Sequence, residues 1–67
     1  MNWDRIEGNW KEFKGKAKQQ WGKLTDDELT TIEGNRDELS GRLQRHYGYG
    51  KDEAEREIDN WMNRSNP

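Results

Sequence analysis

The sequence predicts an all-α fold: a compact bundle of four to five short helices, built as two pseudo-two-fold-related helical hairpins packed across each other. Three observations carry that prediction. A segment repeats at an offset of 26 residues, apolar residues recur at helical spacing, and helix starts and stops fall where such a repeat needs them.

The repeat aligns IEGNWKEFKGKAKQQWG (residues 6–22) with IEGNRDELSGRLQRHYG (residues 32–48). Seven of 17 positions are identical: Ile6/Ile32, Glu7/Glu33, Gly8/Gly34, Asn9/Asn35, Glu12/Glu38, Gly15/Gly41 and Gly22/Gly48. One further step of 26 reaches Ile58-Asp59-Asn60, a faded third start.

Each element then follows in order. In the first copy Trp3, Ile6, Trp10, Phe13, Ala17 and Trp21 fall within an arc of about 80° on a helix, which gives one apolar stripe. Gly8 either ends a short first helix or sits inside a continuous one. Gly22 follows the last stripe residue, where a left-handed glycine commonly stops a helix. Thr25 with Glu28 reads as a capping box, with Asp26 and Asp27 at the positive end of the helix dipole. Asn35 with Glu38 opens the next helix, and the repeat implies the same for Asn9 with Glu12. That helix carries Leu39, Leu43 and Tyr47 and stops at Gly48. After Gly50, Lys51-Asp52-Glu53 opens a last helix with Ala54, Ile58, Trp61 and Met62 on one face, and residues 63–67 are expected to fray. The expected core is Trp3, Ile6, Trp10, Phe13, Trp21, Leu24, Leu29, Ile32, Leu39, Leu43, Tyr47, Ile58 and Trp61.

Composition bounds what such a chain can be. Sixty-seven residues make a single domain, 1–67, close to the lower limit for a self-supporting core. Leu, Ile, Val and Phe supply only 8 residues, a fraction that by itself suggests disorder. Twelve bases nearly balance 14 acids, however, and disorder normally goes with high net charge. Four Trp, two Tyr and one Phe restore apolar area, since each large aromatic buries roughly 150–250 Å². A thinly stable folded domain is therefore expected, with a largely disordered, hydrophilin-like chain as the alternative.

The same inventory excludes most chemistry. There is no cysteine, hence no disulfide and no thiolate metal site. His46, the single histidine, reads as a packing or solvent-facing residue. The acidic clusters Asp26-Asp27-Glu28 and Asp52-Glu53 sit at helix starts, where capping accounts for them, and they lack the alternation of a calcium loop. Ser40 and Ser65 have no base beside them, and the glycines form neither a P-loop nor a dinucleotide fingerprint. No catalytic, cofactor-binding or metal-binding residue is expected, and the chain is not expected to be an enzyme. The start of the chain has no basic and apolar leader, and no apolar run is long enough to span a membrane, so a cytoplasmic protein without membrane contact is expected.

One binding face stands out. Lys11, Lys14 and Lys18 lie within about 60° of one another beside the apolar stripe. Such a ridge can meet phosphates or acidic surfaces, or it can be a solvated flank whose lysine stems cover the core edge. Residues 25–67 hold eleven acids against six bases, so nucleic acid is not the expected partner. Protein clients are possible, and a monomer is expected.

The segments MNWDRIEGNWKEFKGKAKQQWGKLTDDEL, IEGNRDELSGRLQRHYG and KDEAEREIDNW also resemble the CsbD-like family of small bacterial general-stress proteins. The likeness runs from Asn2 to Trp61, and its specific parts are W-x6-W-K-x2-K-G-K and W-G-K-L-T. The resemblance implies a cytoplasmic helical domain of two crossed hairpins that accumulates under stress or in stationary phase. It implies no catalytic residue. Gly50 departs from the better helix cap that related sequences carry there.

Overall fold

A computed structural model describes residues 3–65. They form five helices: α1 (Trp3–Gly8), α2 (Trp10–Gln20), α3 (Asp26–Ile32), α4 (Arg36–Tyr47) and α5 (Lys51–Ser65). No strand occurs among the described residues. The radius of gyration is 10.7 Å. A folded domain of this length should have about 10.9 Å, and an unfolded chain about 25 Å. The packing is that of a folded bundle, which corrects the alternative of a largely disordered chain.

Thirteen apolar residues are buried in one cluster: Ile6, Trp10, Phe13, Ala17, Trp21, Leu24, Leu29, Ile32, Leu39, Leu43, Ala54, Ile58 and Trp61. Trp3 and Tyr47, expected in the core, are only half-buried and pack on its rim with Tyr49 and Met62. Both use their polar edges in hydrogen bonds to the backbone. The Trp3 indole N–H donates to the Gly34 carbonyl at 2.6 Å, and the Tyr47 hydroxyl accepts from the Lys23 backbone N–H at 3.2 Å.

The hairpins are α2–α3 and α4–α5, with α3 also against α4. A shift of 26 residues carries α2 onto α4 and α3 onto the first half of α5, so the two hairpins occupy matching stretches of the aligned sequence. Trp10 locks the first hairpin by donating its buried indole N–H to the Leu29 carbonyl at 2.7 Å. That carbonyl lies in the last turn of α3, where helix carbonyls lack intrahelical partners. Trp61 gathers the aromatic residues, with ring centroids 5.2 Å from Trp21, 6.2 Å from Phe13 and 6.2 Å from Trp3. The Trp21 indole N–H has no hydrogen-bond partner, a cost that its ring packing must offset.

The predicted helix ends hold on one side of the repeat and differ on the other. Thr25 and Glu28 form the reciprocal capping box, each bond 3.1 Å. Asn35 caps α4 by accepting from the Glu38 N–H at 3.0 Å, and Gly48 closes α4 in the left-handed region with φ 71°. Asn9 does not cap. Its side chain donates instead to the Arg5 carbonyl at 3.0 Å, and α1 runs through Gly8 to a single non-helical residue, Asn9, before α2 resumes. Gly22 is not left-handed either. α2 stops at Gln20, and Trp21 turns into the core while its backbone N–H still reaches the Ala17 carbonyl at 2.8 Å. The Trp21 carbonyl then accepts from the Leu24 N–H at 3.1 Å. Burial of Trp21 and Leu24 fixes this turn, so a left-handed glycine is unnecessary. At the far end α5 continues through Asn63 and Arg64 to Ser65, and residues 66–67 of the predicted frayed tail lie outside the described residues.

Candidate functional site

The three lysines of the basic face are treated differently by the fold. Lys14 reaches across the first hairpin and donates from Nζ to Thr30 Oγ1 at 2.9 Å. Lys18 donates from Nζ to the Leu24 carbonyl at 2.6 Å and to the Gly22 carbonyl at 3.4 Å, closing the turn between α2 and α3. Both are half-buried, as expected of lysines whose stems cover a core edge. Lys11 is exposed and has no such partner. Two of the three ammonium groups are thus engaged within the hairpin, and a phosphate would have to compete for them.

The most connected polar group is Glu28, which the sequence marks only as a cap. Its Oε1 accepts from the Thr25 N–H, while Oε2 lies 2.7 Å from His46 Nε2 and accepts from Arg42 at 3.1 Å. His46 is therefore half-buried and bonded to a carboxylate, a correction to its reading as a packing or solvent-facing residue. The bond from His46, then that from the Thr25 N–H, then that from Arg42 hold the Glu28 carboxyl at about 2, below the ordinary 4.5 and against the opposing effect of burial. The Arg42 Nε is buried without a hydrogen-bond partner. The start of α3 is thus clamped to the last turns of α4 by charge.

This clamp predicts a pH dependence. A depressed carboxyl contributes stability in full above its ordinary value near 4.5, and that contribution is lost as pH falls toward 2. Between those limits the unfolded chain binds the proton and the folded chain does not, so stability rises with pH. Glu28→Gln is expected to flatten this rise by up to one proton in urea titrations across the window. An unchanged slope would show that Glu28 is not the group responsible.

A second charged cluster binds α4 to α5 and α1. Arg36 pairs with Glu55 at 2.9 Å and Asp59 at 2.7 Å, and its guanidinium carbon lies 5.9 Å from the Trp3 ring centroid. Ser40 is buried and accepts from the Gln44 side-chain amide at 3.3 Å, with no base beside it. An open polar depression is lined by Gln20, Glu57, Asn60, Asn63 and Arg64. Among the described residues no group of His, Cys, Asp and Glu side chains is disposed to hold a metal ion, and no helix is long and apolar enough to cross a membrane.

Such a molecule is a small all-α bundle in which several polar side chains cap helices or join one helix to another. The profile of the family described as CsbD-like matches residues 4–56, and the chain belongs to that family. It is 62% identical over 64 residues to the UPF0337 protein YjbJ of Escherichia coli strain CFT073, covering 96% of this chain and 93% of that one. A UPF0337 protein of Pectobacterium atrosepticum is 66% identical over 61 residues, 91% of this chain and 88% of the relative. One from Rhodopseudomonas palustris is 59% identical over 62 residues, 92% and 94% of the two chains.

Proposed function

We propose that this chain is a non-enzymatic, cytoplasmic stress-response protein that works as a small protective or protein-interaction module through its hydrated exterior. One observation carries the reading. Every large apolar side chain among the described residues turns inward or lies on the core rim, and none is exposed. The remaining surface belongs to a chain that is 39% charged with mean hydropathy −1.63. A surface of that kind stays strongly hydrated at high concentration and offers no apolar patch for self-association. Membership of the CsbD-like family of small general-stress proteins supports the same direction.

The test is protection of an unrelated enzyme through drying and rehydration, with the native chain compared against Leu39→Asp. Leu39 is fully buried, so the variant loses the fold while keeping the composition. The native chain is expected to preserve activity in proportion to its concentration, and no preservation above an inert polymer control would sink the reading. Equal protection by Leu39→Asp would assign the effect to hydrated, hydrophilin-like composition, and loss of protection would assign it to the folded surface. Nucleic-acid binding through Lys11, Lys14 and Lys18 is the competing class. It requires binding at low salt, where phosphate contacts are strongest.

A further inference from the structure

The tetrapeptide Ile-Glu-Gly-Asn occurs twice in this chain with two different backbones. At residues 32–35 it makes a sharp turn: Glu33 and Gly34 are both left-handed, with φ 53° and 81°, and Asn35 caps the following helix. At residues 6–9 the same four residues join helix α1 to α2 through the single non-helical residue Asn9, with neither Glu7 nor Gly8 left-handed. Part of the turned form is already present there. The Asn9 N–H is shared between the Arg5 carbonyl at 3.1 Å, as in a helix, and the Ile6 carbonyl at 3.2 Å, the bond that Asn35 makes to Ile32 at 2.9 Å; the Asn9 carbonyl accepts from Phe13 as that of Asn35 does from Leu39. Among the described residues no backbone bond joins an α2 N–H to an α1 carbonyl, so the helical ladder is interrupted at Asn9. A Cβ at Gly8 would meet nothing within 4 Å, so the backbone form at residues 6–9 does not require glycine there.

We infer that the Gly8–Asn9 junction is a two-state hinge, which opens by adopting the left-handed, Asn-capped turn seen at residues 32–35. The closed state is held by the full burial of Ile6 and by contacts of Trp3: its indole bond to the Gly34 carbonyl, the Arg36 guanidinium against its ring, and its packing on Trp10 and Trp61 at 6.3 and 6.2 Å. The open state gives Asn9 the role that Asn35 plays, as acceptor for the N–H three residues on. It lifts α1 from the aromatic cluster and uncovers Trp10 and Trp61 while the two hairpins stay folded. Glycine at position 8 serves the open state and is dispensable in the closed one, whereas Asn9 exchanges its closed-state bond to the Arg5 carbonyl for the cap. The hinge does not depend on the protective reading.

Exchange of the Trp3 indole N–H, followed by NMR against that of Trp10, reads the opening. In the native chain Trp3 is expected to exchange much faster than Trp10. Gly8→Ala should slow Trp3 exchange about tenfold or more, since an L side chain resists the left-handed turn and favours the helix. Gly15→Ala, an equally open helical site, should leave the opening unchanged. The decisive variant is Asn9→Val, because Val cannot cap the open state and position 9 lies outside both helices in the closed one, so helix propensity does not enter. The hinge predicts about fivefold slower exchange, from the lost cap in the open state. Simple fraying of α1 predicts unchanged or faster exchange, from the lost bond to Arg5. Unchanged or faster exchange in Asn9→Val, or equal slowing by Gly15→Ala and Gly8→Ala, overturns the hinge.

Discussion

Replacing Trp61 with alanine is expected to unfold most of this protein at ordinary temperature. Trp61 is 3% exposed and stands between the rings of Trp3, Phe13 and Trp21, so it joins α5 to both α1 and the end of α2. Truncating a buried tryptophan costs about 3–5 kcal/mol. A domain of 67 residues has roughly 3–10 kcal/mol of stability in total. The loss therefore consumes a large part of the whole, and no other ring can move into the gap without leaving its own partners. Thermal melting followed by circular dichroism should show a midpoint lower by at least about 12 °C, or no cooperative transition at all. A Trp61→Ala chain that melts within a few degrees of the native one would mean that the aromatic cluster does not organise the core.

The position of Trp61 was legible in the sequence, because it falls on one face of the last helix with Ala54 and Ile58. The same periodicity placed Ile6, Trp10, Phe13, Leu39 and Leu43 in the interior. It misjudged Trp3 and Tyr47 for one shared reason. Each lies at the terminal position of its stripe, at the edge of the buried cluster. Helix starts were legible at Thr25 and Asn35, where capping is a local matter of three residues. Asn9 has the same local signal and a different outcome, because Trp3 anchors α1 to Gly34, 31 residues away in sequence. No local rule contains that contact.

The polar clusters were less legible. Glu28 reads as a cap and is one, but its second oxygen meets Arg42 and His46, 14 and 18 residues further along. That meeting follows from laying α3 against α4, and neither residue signals it. Lys14 and Lys18 read as a ridge on α2, and on α2 they do lie beside the apolar stripe. What periodicity leaves open is where a long side chain ends. Thr30 and the Leu24 carbonyl decide it, and both are placed by the hairpin turn rather than by the helix that carries the lysines.

The glycines separate local from tertiary demands most sharply, and Gly34→Ala is the second large expected effect. Gly34, Gly41 and Gly48 recur every seven residues, as Gly8, Gly15 and Gly22 do in the first copy. Gly34 has φ 81°, where an L side chain costs roughly 1–2 kcal/mol. A Cβ there would also lie 2.9 Å from the Glu7 Cα and 3.3 Å from the Glu7 carbonyl oxygen, so the backbone of α1 would have to move. Moving α1 strains the bond from the Trp3 indole to the Gly34 carbonyl. The expected loss is roughly 2–4 kcal/mol, with faster exchange of the Trp3 indole N–H. Gly48 has φ 71° but open space around it, so Gly48→Ala should cost only the backbone part, roughly 1–2 kcal/mol. Gly41 lies within α4 with open space and no positive φ, and Gly41→Ala should stabilise by roughly 0.5–1 kcal/mol. Urea midpoints for the three variants should therefore fall below, slightly below and above the native value. If Gly34→Ala is no worse than Gly48→Ala, the close approach of α1 to the turn before α4 is not what keeps residue 34 a glycine.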